Sequence, residues 1–283
     1  MPRAAGARKS RYRYLLGDSR REAARLRAQA RLWDPVALEL FDRLRVARGW
    51  RVLEIGPGQG SLHMELRRRV RGPVDAVERS AAFCARLERL TARDALGAGR
   101  IWQTSLETAV LPAAAYDLIF ARWVFLFLPD PAAQIRRLAR SLKPGGLIAI
   151  QDYHRETLAM VPLPPEWESL LAADRAFFAS QGGDASVGSR LPHYFRQAGL
   201  GVVEITPTIK VGRPGSAVWK WISTYFLGVL DRLSSIPPFS RSQARSLRLR
   251  WLAAARHRTS LLIAPAVLDV VGRRPRRGGR PGR

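Results

Sequence analysis

Arg51-Val52-Leu53-Glu54-Ile55-Gly56-Pro57-Gly58-Gln59-Gly60-Ser61 is the stretch whose reading decides the fold. Val52, Leu53 and Ile55 form a short apolar run of the kind that makes a buried strand. The run breaks into glycines at alternate positions, where the missing Cβ permits a sharp turn and close approach to a ligand. Leu62, Met64, Glu65 and Leu66 favour a helix, so the loop delivers its ligand to a helix N-terminus. The dinucleotide fingerprint requires a glycine where this chain has Ser61, and the Gly-Lys-Ser/Thr of a P-loop is absent. By itself, the loop leaves several nucleotide ligands open.

An acid precedes the first glycine by two residues, giving Glu54-x-Gly56-x-Gly58-x-Gly60. That pattern resembles motif I of the class I S-adenosylmethionine-dependent methyltransferases. A second apolar run, Val74 to Val77, ends in Glu78 about 20 residues past the loop. In a doubly wound sheet, an acid there sits beside the ribose and accepts from both hydroxyls. Tyr116 to Arg122 predicts a fourth strand. Leu128-Pro129-Asp130-Pro131 follows, then a helix that Gly145 and Gly146 end after Lys143-Pro144, and a fifth strand over Leu147–Asp152. This block is similar to the same segment of small-molecule methyltransferases related to the ubiquinone and menaquinone biosynthesis enzymes.

The resemblance implies a Rossmann-like α/β fold. Its seven-stranded, mostly parallel sheet would carry helices on both faces, an N-terminal helical segment and a helical insertion before the last strand. It implies S-adenosylmethionine as cofactor, held by Glu54, Gly56, Pro57, Gly58, Gly60, Glu78, Arg79, Ser105, Leu106 and Arg122. In this family an acid often bonds the adenine amino group where this chain has Ser105, leaving backbone recognition at Leu106. Arg122 would face the methionine part of the cofactor; the alternative is a surface ion pair. For a general base the chain offers Asp152, Tyr153 and His154 after the fifth strand, and His193 and Tyr194 further on. His154 is the candidate, and the sequence names no catalytic residue beyond it. No metal is expected.

Elsewhere, Ser19-Arg20-Arg21-Glu22 fits a capping box, and Asp34-Pro35 predicts the start of a second helix before the first strand. The helical insertion spans 214–258, with Ser240 and Gln243 placed to cap its second helix, and would act as a substrate lid. Residues 259–272 supply one last strand. The domain so defined covers 14–272, flanked by a basic segment 1–13 and an Arg/Gly/Pro tail 273–283, both expected to be disordered.

Charge follows the same division. The net charge is +25, and only four of the basic residues are lysines. Residues 1–31 carry ten Lys/Arg against two acids and residues 210–283 sixteen against two, so the chain between is nearly neutral. Basic ends suit an anionic partner, nucleic acid or membrane surface, or a solvated Arg-biased exterior. A single cysteine, Cys84, excludes an intrachain disulfide framework and a Cys-rich zinc site. No apolar run reaches the roughly 18 residues of a membrane span, so a cytoplasmic protein is expected. The function expected is methyl transfer to a small molecule. Two alternatives are an RNA methyltransferase using the basic ends and a non-catalytic protein retaining the fold. Neither the methyl acceptor nor the oligomeric state is legible in the sequence.

Overall fold

A computed structural model describes residues 20–276, with side chains from residue 26 onward. The basic segment 1–13, the Ser19 end of the proposed capping box and residues 277–283 lie outside the described residues. In chain order the elements are α1 (Arg20–Arg43), β1 (Val52–Ile55), α2 (Ser61–Val70), β2 (Val74–Glu78), α3 (Ala81–Thr91), β3 (Ile101–Gln103), β4 (Tyr116–Arg122) and α4 (Pro131–Ser141). Then come β5 (Leu142–His154), β6 (Ala159–Val161), α5 (Trp167–Ser180), α6 (Leu191–Gln197), β7 (Gly201–Thr208), β8 (Val211–Gly212), α7 (Ala217–Leu233), α8 (Arg241–Ala254), β9 (Leu261–Ile263) and β10 (Ala266–Arg273).

Seven strands form one sheet in the order β3-β2-β1-β4-β5-β10-β7. The first five are parallel, while β10 runs antiparallel to both β5 and β7. The order reverses between β1 and β4, which opens a crevice at the carboxyl ends of the strands, where doubly wound sheets bind ligands. The central strands are mostly apolar because both faces are covered, with Glu54 and Glu78 set toward the crevice end. On one face Leu40, Phe41, Leu62 and Leu66 from α1 and α2 pack on Val52, Leu118 and Phe120. On the other, Leu53, Ile119 and Ile148 meet Ile135, Leu138 and Phe195 from α4 and α6.

The expected fold class is therefore the observed one, with local differences. The two helices expected before β1 are one continuous helix with Pro35 inside it. A proline there costs about 3 kcal/mol. Its ring lies on the exposed side, while Trp33, Val36, Ala37, Leu40 and Phe41 are buried around it. Burying each large side chain contributes roughly 1.5–3 kcal/mol, which outweighs the proline. The fifth strand begins at Leu142 rather than Leu147, because Leu142 already pairs with Tyr116 and Lys143–Gly146 bulge out before Leu147 pairs with Leu118.

The single last strand expected over 259–272 breaks at Ala264-Pro265. Its first part, β9, leaves the main sheet and pairs with β6 and β8 in a small antiparallel sheet. β10 extends to Arg273, and Arg274 exchanges backbone bonds with Gly145 and Gly146, so the start of the expected tail is built into the sheet beside β5.

Inserted before β9, α7 and α8 pack with α5 over the carboxyl end of the sheet. Trp167, Phe226 and Trp251 meet there at ring-centre distances of 5.9–6.3 Å. Ser240 and Gln243 form the capping box at the start of α8. A side-chain bond from Trp221 Nε1 to Gln29 Oε1 at 3.3 Å ties α7 to α1.

Candidate active site

The glycine loop leaves β1 with Gly56 at φ +66°, its N–H bonded to the Val77 carbonyl at 2.8 Å. A Cβ on Gly56 would come within 2.6 Å of Val124 Cγ2, so only glycine lets the loop pass under the segment after β4. Gly60, at φ +83°, caps α2, and its Cα faces Leu87 and Leu90 of α3. Gly60 is thus a packing position; it is not among the residues lining the cavity described below.

Glu78 ends β2 beneath this loop. Its Oε1 accepts from Ser80 N–H at 2.8 Å and its Oε2 from Gly58 N–H at 3.2 Å. Burial pushes its carboxyl above the usual range, against the opposing pull of those backbone donors and Arg79. Glu54 is buried and bonded through Oε2 to His63 Nδ1 at 3.0 Å. His63 is a partner that the sequence reading missed. It lies on the first turn of α2, nine residues after the acid it fixes.

These residues open on a cavity of about 1280 Å³. One side is lined by Glu54, Gly56, Pro57, Gly58, Glu78, Arg79, Ser105, Leu106 and Arg122. Nine of the ten residues proposed from the sequence are thereby brought together, Gly60 being the exception. Ser105 Oγ lies 3.1 Å from Thr108 Oγ1, in a polar patch completed by Thr104. Arg122 combines both readings given to it. Its Nη2 donates to Asp34 on α1 at 2.6 Å, while its buried Nη1 has no acceptor among the described residues and the side chain faces the cavity.

The other side of the cavity comes from the end of β5, from α5 and from α7: Tyr153, Arg155, Leu158, Phe178, Ile222 and Tyr225 among others. Of the general-base candidates only Tyr153 lines the cavity. His154 points elsewhere because successive strand residues face opposite sides; its Nδ1 is buried without a partner. His193 is exposed and bonded to Gln197.

Asp152 is fully buried and accepts from Tyr153 N–H at 2.9 Å and Leu126 N–H at 3.1 Å, fixing the turn that carries Leu126 and Phe127 into the cavity wall. Burial pushes its carboxyl up to about 7, despite the stabilising backbone donors. The folded protein then holds a proton on Asp152 between about pH 4 and 7 that the unfolded chain has released. This contribution stabilises at low pH and is lost as pH rises through that window. Urea unfolding from pH 4.5 to 7.5 is expected to show wild type losing stability relative to Asp152→Asn as pH rises. A constant offset between the two would exclude it.

Among the described residues no cluster of three or more His, Cys, Asp or Glu is arranged to hold a metal. No helix among them is long and apolar enough to cross a membrane.

The fold and the loop-and-acid arrangement at its switch point define the architecture of the class I methyltransferases. Residues 53–150 match the family described as "Methyltransferase domain". Over 145 residues the chain is 34% identical to a trans-aconitate 2-methyltransferase of Azoarcus sp. (strain BH72), a match covering 50% of this chain and 55% of that one. Over 139 residues it is 27% identical to an aklanonic acid methyltransferase of Streptomyces sp. (strain C5), covering 48% of this chain and 63% of that one. The matches thus span between half and two thirds of these relatives. Among solved structures, the YcgJ protein from Bacillus subtilis superposes with a TM-score of 0.58 at 17% identity, covering 85% of this chain and 98% of that one. That likeness is one of fold.

Proposed function

We propose that this protein transfers a methyl group from S-adenosylmethionine to a small organic acid bound under the α7–α8 lid. The observation that carries the reading is the two-part cavity. Its 1280 Å³ exceeds the roughly 300–1,000 Å³ of an ordinary ligand pocket, so it has room for a cofactor and an acceptor side by side.

The residues on the loop side fit the cofactor. Glu78 has oxygens for the ribose hydroxyls beside the Gly58 and Ser80 amides, Ser105 and Leu106 flank the adenine end, and the orphaned Arg122 Nη1 suits the methionine carboxylate. The cofactor supplies an electrophilic methyl on a sulfonium. The protein's task is to bind, exclude water and align the acceptor in line with the methyl. Trp123, stacked on Tyr153 at 5.4 Å and edge-on to Trp33 at 5.9 Å, helps wall off solvent between the two halves.

The acid comes from the relatives, two of which are named for acid acceptors. A methyl acceptor that is already an anion needs no general base, in keeping with His154 lying off the cavity wall. Isothermal titration is expected to show one S-adenosylhomocysteine bound per chain. No heat at millimolar ligand would overturn the cofactor reading.

A further inference from the structure

We infer that Arg155 is the residue that holds the acceptor, and that the acceptor it selects is a flat, largely apolar monocarboxylate rather than a small polycarboxylate. This rests on the function proposed above and deepens it.

Arg155 follows β5 directly and is nine-tenths buried in the cavity wall. Its Nη1 is held from behind by Asp174 on α5 and by the Tyr225 hydroxyl on α7, at 3.3 Å from the latter. Tyr225 in turn donates to the other oxygen of Asp174 at 2.9 Å. One end of the guanidinium is therefore fixed. Nε, on the other edge, is buried and has no acceptor among the described residues. A donor left unpaired inside a protein costs about 1–3 kcal/mol, and a buried arginine is always charged. The Nε–Nη2 edge is the planar fork that takes a carboxylate with two parallel bonds. Asp174 compensates the charge while the cavity is empty of acid, and it stands on the far side of the guanidinium from that edge.

The surroundings choose the body attached to the acid. The rings of Tyr153, Phe178 and Tyr225 lie 4.7–5.6 Å from the guanidinium carbon. Leu158, Ile222 and Phe226 continue the wall. Arg155 is the one charged side chain lining this half of the cavity among the described residues; Arg79 and Arg122 line the cofactor half. A polycarboxylate would bury its second and third charges against rings with no cation to meet them. A flat aromatic acid instead places one carboxylate on the fork and stacks its body among the rings, where offset and edge contacts add to area burial.

The test uses the full chain and follows quenching of the wall tryptophans, Trp123 and Trp221, with and without saturating S-adenosylhomocysteine. The probes are 2-naphthoate, its neutral isostere 2-naphthamide, and trans-aconitate. Wild type is expected to bind naphthoate about tenfold or more tightly than naphthamide, the size of a charge-assisted contact, and aconitate more weakly than naphthoate. Arg155→Met combined with Asp174→Asn removes the cation without leaving a buried charge, and is expected to abolish the acid preference. Arg155→Lys keeps the charge but not the fork, and is expected to weaken naphthoate several-fold. Equal binding of naphthoate and naphthamide by wild type, an acid preference that survives in the double variant, or naphthoate affinity unchanged in Arg155→Lys overturns the assignment of Arg155. Tighter binding of aconitate overturns the apolar body. Failure of S-adenosylhomocysteine to bind would by itself overturn the cofactor reading, and the titrations run without it still decide the role of Arg155.

Discussion

Glu78→Ala is expected to weaken S-adenosylhomocysteine about a hundredfold, and Glu78→Gln about tenfold, as read by isothermal titration. Two charge-assisted bonds from the ribose hydroxyls are each worth about 1.5–3 kcal/mol, and every 1.4 kcal/mol is tenfold in affinity. Glutamine retains one acceptor oxygen but turns its amide hydrogens toward the Gly58 or Ser80 N–H, which now bond Oε2 and Oε1. The alanine variant loses both oxygens and leaves those two amides without their present acceptor. Binding should also fall in wild type as pH drops, because burial has raised the carboxyl of Glu78 and its protonation replaces an acceptor with a donor. That acid limb should be absent from Glu78→Gln. Near-ultraviolet circular dichroism unchanged from wild type would show that the loop still folds. An alanine variant binding within twofold of wild type would show that Glu78 serves only the loop's backbone.

What could be read from the sequence was what is local in the chain. The Val52–Ile55 run, the glycine loop, Glu78 and the Ser240–Gln243 cap each depend on residues a few positions apart, and each lies where expected. Helix α1 shows the limit. Pro35 is a strong local stop, but tertiary burial of the residues on either side of it overrides the stop. The small β6-β9-β8 sheet was invisible because strands of two or three residues carry no readable alternation. His154 shows the effect of a period of two: Tyr153 and Arg155 reach the cavity and the residue between them does not line it. His63 was the one missed partner within reach of local reasoning, since it sits on the helix that follows the loop. Arg155, Asp174 and Tyr225 were out of reach, because they come from three elements separated by 19 and 51 residues. Nothing local marks them as a unit.

Asp174→Ala is expected to cost about 3–5 kcal/mol of stability, measured by urea unfolding, because it leaves the buried Arg155 guanidinium without its counter-charge. Arginine cannot escape by losing its proton. Burial opposes its charge, but the Asp174 carboxylate and Tyr225 outweigh that and hold it above the ordinary arginine value. Asp174→Asn should cost less, since the amide oxygen still accepts one bond. Tyr225→Phe removes the hydroxyl that bridges both partners, and its effect should not add to that of Asp174→Ala, because the three side chains form one network. Adding Arg155→Met to the Asp174→Ala background should restore stability, since a buried pair replaced by apolar groups is often neutral or better. A loss below about 1 kcal/mol for Asp174→Ala would mean that water reaches the guanidinium and screens it. The same network joins three parts of the site: Arg155 leaves the sheet, Asp174 sits on α5 and Tyr225 on α7. Breaking it should therefore loosen α7 as well as lower stability, so limited proteolysis in the 234–240 connection between the lid helices is expected to quicken in Asp174→Ala. In this reading the charge that receives the acid also fastens the lid over it, so an acceptor on the Arg155 fork should slow the same cleavage in wild type.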